Sequence, residues 1–455
     1  MAAPRFAPHH PLVAAVALAF GLGSAHAVTI TVSSGGDAGS GSTCTLRQAI
    51  EAANTNAVVG TCTSGAGAAG ADTIQFNSAL VNSTITLGGT ELLVTEDLTI
   101  VGSGQTLDAN GASRVLYADA NVTACRLTFT GGNSAGDGGG IYAYDGATLT
   151  LSDCVITGNS TDADGGGVGL YGYAALVMSR CTVSGNDAGD MGGGIYGWSD
   201  NTMTITDSTI SGNTAADAGG GIYVFSGELY LTNSTLTGNE VTDSYGNGGG
   251  IFAVDQSFAA INNTTITGNQ AGNAGGGIYL DGVSVIEVNN TILSANTATI
   301  DVDLGRGSGG GPKRGENKIS HAANPNGSTS SVTASLLGTA MAGDFTGNGN
   351  IFNNVPGLGP LANNGGPTQT LMLQTGSPAI NAGNNTLIPA GLTFDQRGTG
   401  FPRAVGGTVD MGAFEVAAVV ALSPTLVPAG SSWSLALLGG LLGLLGIVGL
   451  RSIRS

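Results

Sequence analysis

Four aspartates, Asp137, Asp164, Asp190 and Asp217, recur at a nearly constant interval, each one or two residues ahead of a Gly-Gly-Gly triplet, and Asn247 and Asn273 continue the column. A file of carboxylates along one edge has the oxygen chemistry that Ca2+ takes. Asp before Gly is also a plain turn-former, and that reading is preferred. A second file, Tyr142, Tyr196, Tyr223, Phe252 and Tyr279, each follows an apolar residue assigned to the interior, so alternation points these rings outward. Such a stripe could contact sugar rings or a protein partner, or simply pair across strands. No Cys-rich metal spacing is present. The triplets produce many Gly-x-Gly-x-x-Gly matches, but none sits in a βαβ setting, so they carry no phosphate chemistry.

Composition narrows the chemistry further. Of 455 residues, 79 are Gly, 31 are Asp or Glu, 13 are Lys or Arg and 4 are His. Three of the His lie in the first 27 residues, which leaves His321 as the one imidazole of the processed chain. With charged residues at 10%, few side chains are available as acid, base or carboxylate-binding cation. The net charge of −18 becomes −21 if Arg5, Arg451 and Arg454 are lost with the two ends. A surface that acidic repels phosphate backbones and excludes nucleic acid as a partner.

The elements that must position these files come from a repeat. The apolar residue after each triplet falls at Ile141, Val168, Ile195, Ile222, Ile251 and Ile278, in steps of 27 residues with one of 29. A second signature places Asn at 159, 186, 213, 239, 269 and 296, with an imperfect first copy at Asn133. Between them run short segments of period two, broken by Gly, Asn and Ser, and nothing has a helical period. Three short strands per turn predict an all-β parallel β-helix with coils of about 27 residues. From Val28 to Ile300 there is room for roughly ten coils stacked at about 4.8 Å. The Asn column is expected as an inward amide ladder and the Gly triplets as corners.

The expected division is a signal peptide at 1–27, a cap with the first coils at 28–124, repeats at 125–300, an irregular Gly-rich loop region at 301–347, a module at 348–416, a linker at 417–430 and an anchor at 431–455. The first segment has an apolar stretch from Leu12 to Leu22 and Ala25-His26-Ala27 as a cleavage site. The last has an uncharged Ser431–Leu450 run closed by Arg451 and Arg454, which predicts a C-terminal transmembrane helix. Within Ser42–Asn54 an amphipathic helix is expected, N-capped by Thr43, with Leu46, Ala49, Ile50 and Ala53 on its apolar face, covering the open end of the rod.

Several stretches resemble known bacterial families. The repeats resemble those of the chlamydial polymorphic outer-membrane proteins and adhesins, which implies a right-handed β-helix. Cys44, Leu46, Arg47 and Ala49 resemble the CSLREA domain. Leu358 to Gly383, Asp395-Gln-Arg-Gly398 and Asp410 to Glu415 are similar to the choice-of-anchor Q module, with Leu371 where that family often has His. Ser423-Pro-Thr-Leu426 followed by the apolar run resembles PEP-CTERM and IPTL-like sorting signals, which implies a sorting protease as a partner.

Cys44 and Cys62, close together in an exported chain, are expected as a disulfide. Cys154 and Cys181 occupy equivalent points of consecutive coils and are expected as buried small residues, with Cys125 nearby. Asp395, Arg397 and Glu415 are expected to form an ion pair closing the C-terminal coil. The function expected is an exported surface protein, anchored through its C-terminal helix, that contacts a cell-surface glycan or protein without catalysis or a cofactor. A polysaccharide lyase or hydrolase and a passive surface-layer component are the alternatives.

Overall fold

The computed structural model describes residues 27–39, 41–65, 71–282, 284–307, 329–338 and 346–417. The expected signal peptide before Ala27, most of the 417–430 linker and the whole anchor lie outside the described residues. No helix among the described residues is long and apolar enough to cross a membrane.

One coil displays the construction. Ile222–Phe225 lies in a nine-stranded sheet, Glu228–Thr232 and Thr235–Thr237 lie in a twenty-stranded sheet, and Glu240–Val241 lies in a five-stranded one. Each strand pairs in parallel with its counterpart in the coils before and after, so that Ile195, Ile222 and Ile251 are register neighbours. With side chains alternating, one residue in two points inward. Ile141, Val168, Ile195, Ile222, Ile251 and Ile278 are fully buried, each contributing roughly 1.5–3 kcal/mol. A single apolar core runs from the cap to Leu337.

Among the described residues the nine-stranded sheet takes one strand from each of nine coils between Leu92–Val94 and Leu304–Arg306, in keeping with the roughly ten expected. The stack also continues beyond Ile300. Leu304–Arg306, Thr329–Thr333 and Leu336–Leu337 all pair with the coil below, so the part of 301–347 expected as irregular contains a further turn of the solenoid.

Two side-chain ladders fix the corners. In the first, the Asn159 amide donates to Asn186 Oδ1 at 2.9 Å, and the same step repeats through Asn213, Asn239, Asn269 and Asn296. It ends on the carboxylate of buried Asp303, which accepts from Asn296 and needs no donor of its own. Asn133 is exposed and outside this ladder. The coil below Asn159 places Gly132 there, and its backbone N–H donates to Asn159 Oδ1. In the second ladder the backbone N–H of each corner residue donates to the side chain above: Cys154 to Cys181 Sγ, Cys181 to Ser208, Ser208 to Ser234, and onward to Thr264, Thr291 and Ser335.

The triplet 219–221 explains why three glycines are needed at once. Gly219 has φ +63°, a Cβ on Gly220 would lie 2.6 Å from Glu240 O, and one on Gly221 would lie 2.5 Å from Gly250 O and against the Asn239 amide. A left-handed corner, a close backbone approach and the amide ladder each exclude a side chain.

The cap helix spans Leu46–Thr55 and starts later than its sequence implies. Its N-cap is Thr45, not Thr43, because Thr45 and Gln48 form a reciprocal capping box. Leu46, Ala49, Ile50 and Ala53 join the core, as expected. The Cys44–Cys62 disulfide ties the helix start to the following loop.

Residues 348–416 do more than end the solenoid. Leu358–Ala362 and Thr370–Leu373 form an antiparallel hairpin, and the segment folds back along the side of earlier coils. Thr209 Oγ1 donates to Gln369 O, Ala413 N donates to Thr265 Oγ1, and Asn384 exchanges hydrogen bonds with Asn290. Gln396, fully buried, donates to Ser208 O and Thr209 Oγ1 and accepts from Thr235 Oγ1.

Candidate functional site: the aromatic face of the nine-stranded sheet

On the strand Ile141–Tyr144 the side chains of Ile141 and Ala143 enter the core, while Tyr142 and Tyr144 leave it. Stacking coils therefore builds two outward columns. The first holds Tyr142, Gly169, Tyr196, Tyr223, Phe252 and Tyr279. From Tyr196 to Tyr279 its rings stack at 5.3 Å per step. This is the predicted stripe, but it is not the solvent face. Tyr196, Tyr223 and Phe252 are only 4%, 2% and 0% exposed. Met191 and Ala218 pack on this satellite cluster together with Trp198, Phe225 and Val254 of the second column, so a stripe that faces away from the core is still covered. Burial pushes the Tyr142, Tyr196, Tyr223 and Tyr279 hydroxyls well above the ordinary phenol range.

The second column was not anticipated. It carries Tyr144, Tyr171, Trp198, Phe225 and Val254 in register. Tyr144 stacks on Tyr171 at 5.8 Å and 8°, and Trp198 on Phe225 at 4.0 Å and 11°. Tyr144 and Tyr171 are exposed, and Tyr173, in the adjoining turn, is 66% exposed. The signal was in the sequence two residues beyond the first column, where period-two alternation returns to the same face. Tyr173 also has φ +62°, a left-handed conformation that a bulky side chain adopts at a cost of about 1–2 kcal/mol.

Asp119, Asp145, Asp200 and Asp255 border this column and are all exposed. The turns bearing them are themselves stacked, with Asp145 N donating to Tyr171 O, Tyr173 N to Ser199 O and Asp200 N to Ser226 O.

The file of Asp137, Asp164, Asp190 and Asp217 lies on the other flank of the buried rings. Its carboxylates act as acceptors for the chain above. Asp137 Oδ1 takes the Asp164 N–H at 3.4 Å, Asp164 Oδ1 takes the Met191 N–H at 2.9 Å, and Asn247 Oδ1 takes the Ala274 N–H at 3.1 Å. Burial, reinforced by Asp190 and Asp137, pushes Asp164 up to about 7. Among the described residues no group of three or more Asp, Glu, His or Cys side chains is placed to hold a metal.

The remaining sequence candidates sort as follows. Cys154 and Cys181 are buried thiols of the second ladder, and Cys125 is a half-buried thiol. Asp395 and Arg397 form a buried ion pair, and the Arg397 guanidinium lies between the rings of Phe401 and Phe414, 4.0 and 3.7 Å away. Glu415 is not a side-chain member of that pair. Its carboxylate accepts from Val405 N and Asp410 N, while Arg397 donates to its backbone oxygen. The cluster holds the lateral module in shape instead of closing a coil. Leu371 is a buried hairpin residue. His321 lies outside the described residues.

No curated protein matches this sequence. Among solved structures, that of pectate lyase Pel9A aligns over 76% of this chain and 88% of its own, at 13% identity and a TM-score of 0.33. The sequence profile of the right-handed β-helix region matches residues 161–310, the stretch that holds the Ile column from Val168 on, the amide ladder from Asn186 to Asn296 and the aromatic face from Tyr171 onward. The described residues thus form a parallel β-solenoid with coils of about 27 residues, and over 161–310, a third of the chain, the sequence is similar to the right-handed β-helix region family.

Proposed function

We propose that this is an exported, surface-held β-helix protein that binds an extended glycan and does not transform it. The observation that supports this reading is the outer aromatic column, Tyr144, Tyr171 and Trp198 with Tyr173 beside it, bordered by carboxylates. Sugars present apolar C–H patches ringed by hydroxyls, and aromatic surface flanked by hydrogen-bond acceptors suits both. The buried inner column holds the outer rings in place, so little ordering is needed on binding. Tyr173 sharpens the point, because an exposed ring kept in a left-handed turn is costly unless something uses it. Export and anchoring rest on residues 1–27 and 431–455, read from sequence alone. The sorting protease implied by Ser423-Pro-Thr-Leu426 belongs to the same proposal.

A glycan array compared with a variant carrying Tyr144→Ser, Tyr171→Ser and Tyr173→Asn tests it. Retention on one glycan class, lost in the variant, is expected. A variant that still folds and retains the glycan unchanged would overturn the assignment, as would a protein partner captured by the same rings with no glycan bound. Asn is at home at positive φ, so Tyr173→Asn alone should raise stability while lowering binding.

A further inference from the structure

Charge on the aromatic face narrows the glycan. Between Leu127 and Gly305 the chain contains one Lys or Arg, Arg180. Its guanidinium is paired with Asp153 at 2.7 Å, in the turn that follows the Ala175–Ser179 strand of the large sheet. Around the outer column the exposed charged groups are the carboxylates Asp119, Asp145, Asp200 and Asp255, while Arg114, paired with Glu91, reaches only the first rung, 5.0 Å over the Tyr142 ring. Asp119 follows Ala118, the register neighbour of Ala143, and so stands one coil from Tyr144 in the same column. Asp145, Asp200 and Asp255 sit in the stacked turns beside Tyr171, Trp198 and Phe225.

A polyuronate or sulfated glycan laid along this column would meet exposed carboxylates on alternate coils, about 10 Å apart, and no unpaired cation between them, since Arg180 is held by Asp153 and Arg114 by Glu91. An ammonium group meets the opposite situation. Aromatic rings attract cations through their faces, and exposed carboxylates add ion pairing at the rim.

We infer that the strip formed by Tyr144, Tyr171, Tyr173 and Trp198 with Asp145, Asp200 and Asp255 binds a linear glycan bearing free amino groups, a de-N-acetylated hexosamine chain lying along the rod. This rests on the glycan reading above and adds the substrate class. No bond is made or broken. The amino sugar binds as its ammonium form, so affinity falls with added salt and as the amine deprotonates.

The test uses matched probes on the full chain, glucosamine tetramer and N-acetylglucosamine tetramer, which differ only in the acetyl groups, with a galacturonate tetramer as the anionic arm. Calorimetry at pH 6 and low salt is expected to give at least about tenfold tighter binding of the glucosamine tetramer, since several exposed pairs of a few tenths to 1 kcal/mol each act together. Asp145→Asn, Asp200→Asn and Asp255→Asn combined should erase that difference, whereas Tyr171→Ser with Tyr173→Asn should weaken both hexosamine probes. These carboxylates are exposed, so the variants keep the fold, which circular dichroism checks. Equal affinity for the two hexosamine tetramers, or preference for the acetylated or the anionic probe, overturns the charge assignment while leaving a glycan-binding strip in place. Failure of all three probes and of a wider array overturns the glycan reading itself.

Discussion

Replacing Asn213 with Ala probes the amide ladder at its middle. Asn213 is fully buried and makes four side-chain hydrogen bonds. Nδ2 donates to Asn239 Oδ1 and Val183 O, and Oδ1 accepts from the backbone N and the Nδ2 of Asn186. Truncation leaves the Asn186 backbone N–H and the Val183 carbonyl without these partners, while Asn186 Nδ2 keeps Ile156 O and Asn239 Oδ1 keeps the Asn213 N–H. Two buried groups at about 1–3 kcal/mol each give a loss of about 2–6 kcal/mol. That is a large share of the stability of an ordinary domain. Urea unfolding followed by circular dichroism reads the midpoint shift, with exposed Asn133→Ala as the control expected within about 0.5 kcal/mol of wild type. A loss below about 1 kcal/mol for Asn213→Ala would refute the view that the ladder holds the coils in register.

Three further outcomes follow from the packing. Gly221→Ala should be far more damaging than Gly212→Ala, since the first drives a Cβ to 2.5 Å from Gly250 O while the second, at φ +62°, meets nothing within 4 Å and costs only about 1 kcal/mol; soluble yield and thermal midpoints compare them. Gln396→Ala should loosen the lateral module, read as faster amide exchange and proteolysis within 358–416 while the coils below Thr209 stay protected. Burial pushes Glu415 up from 4.5 to about 7, so the folded state holds its proton more tightly than the unfolded chain. Its contribution is complete below pH 4.5 and is lost as pH rises through about 7. Thermal midpoints should therefore fall between pH 5 and 8, and Glu415→Gln should lessen that fall, to which Asp164, also pushed up to about 7, contributes; an unchanged slope would remove Glu415 as one of its sources.

The rod was legible because its determinants are local and repeated. The Ile column, the Asn ladder and the triplets each recur at one period, and a stacked fold turns equal spacing into contact. The Cys44–Cys62 bridge was legible for a similar reason, short separation. The aromatic face was only half legible. Alternation correctly sends Tyr196 and Tyr223 away from the core, but whether an outward residue meets solvent depends on its flanks, here Met191, Ala218 and the second column, which no spacing rule encodes. The helix start moved to Thr45 because a reciprocal bond with Gln48 outweighs an isolated Thr at 43. The lateral docking of 348–416 was illegible. Gln396 finds Ser208, Thr209 and Thr235 across more than 160 positions, and nothing periodic links them.

The central claim, that the outer aromatic column binds glycan, has a reporter built in. Trp198 lies in the column, and the only other Trp of the chain is Trp433, so a Trp433→Phe protein emits from Trp198 alone. Titration with the glycan selected by the array should give a saturable change in Trp198 emission that disappears when Tyr171→Ser and Tyr173→Asn are added. Glycan retained by the protein with Trp198 emission unchanged throughout the titration would contradict the account.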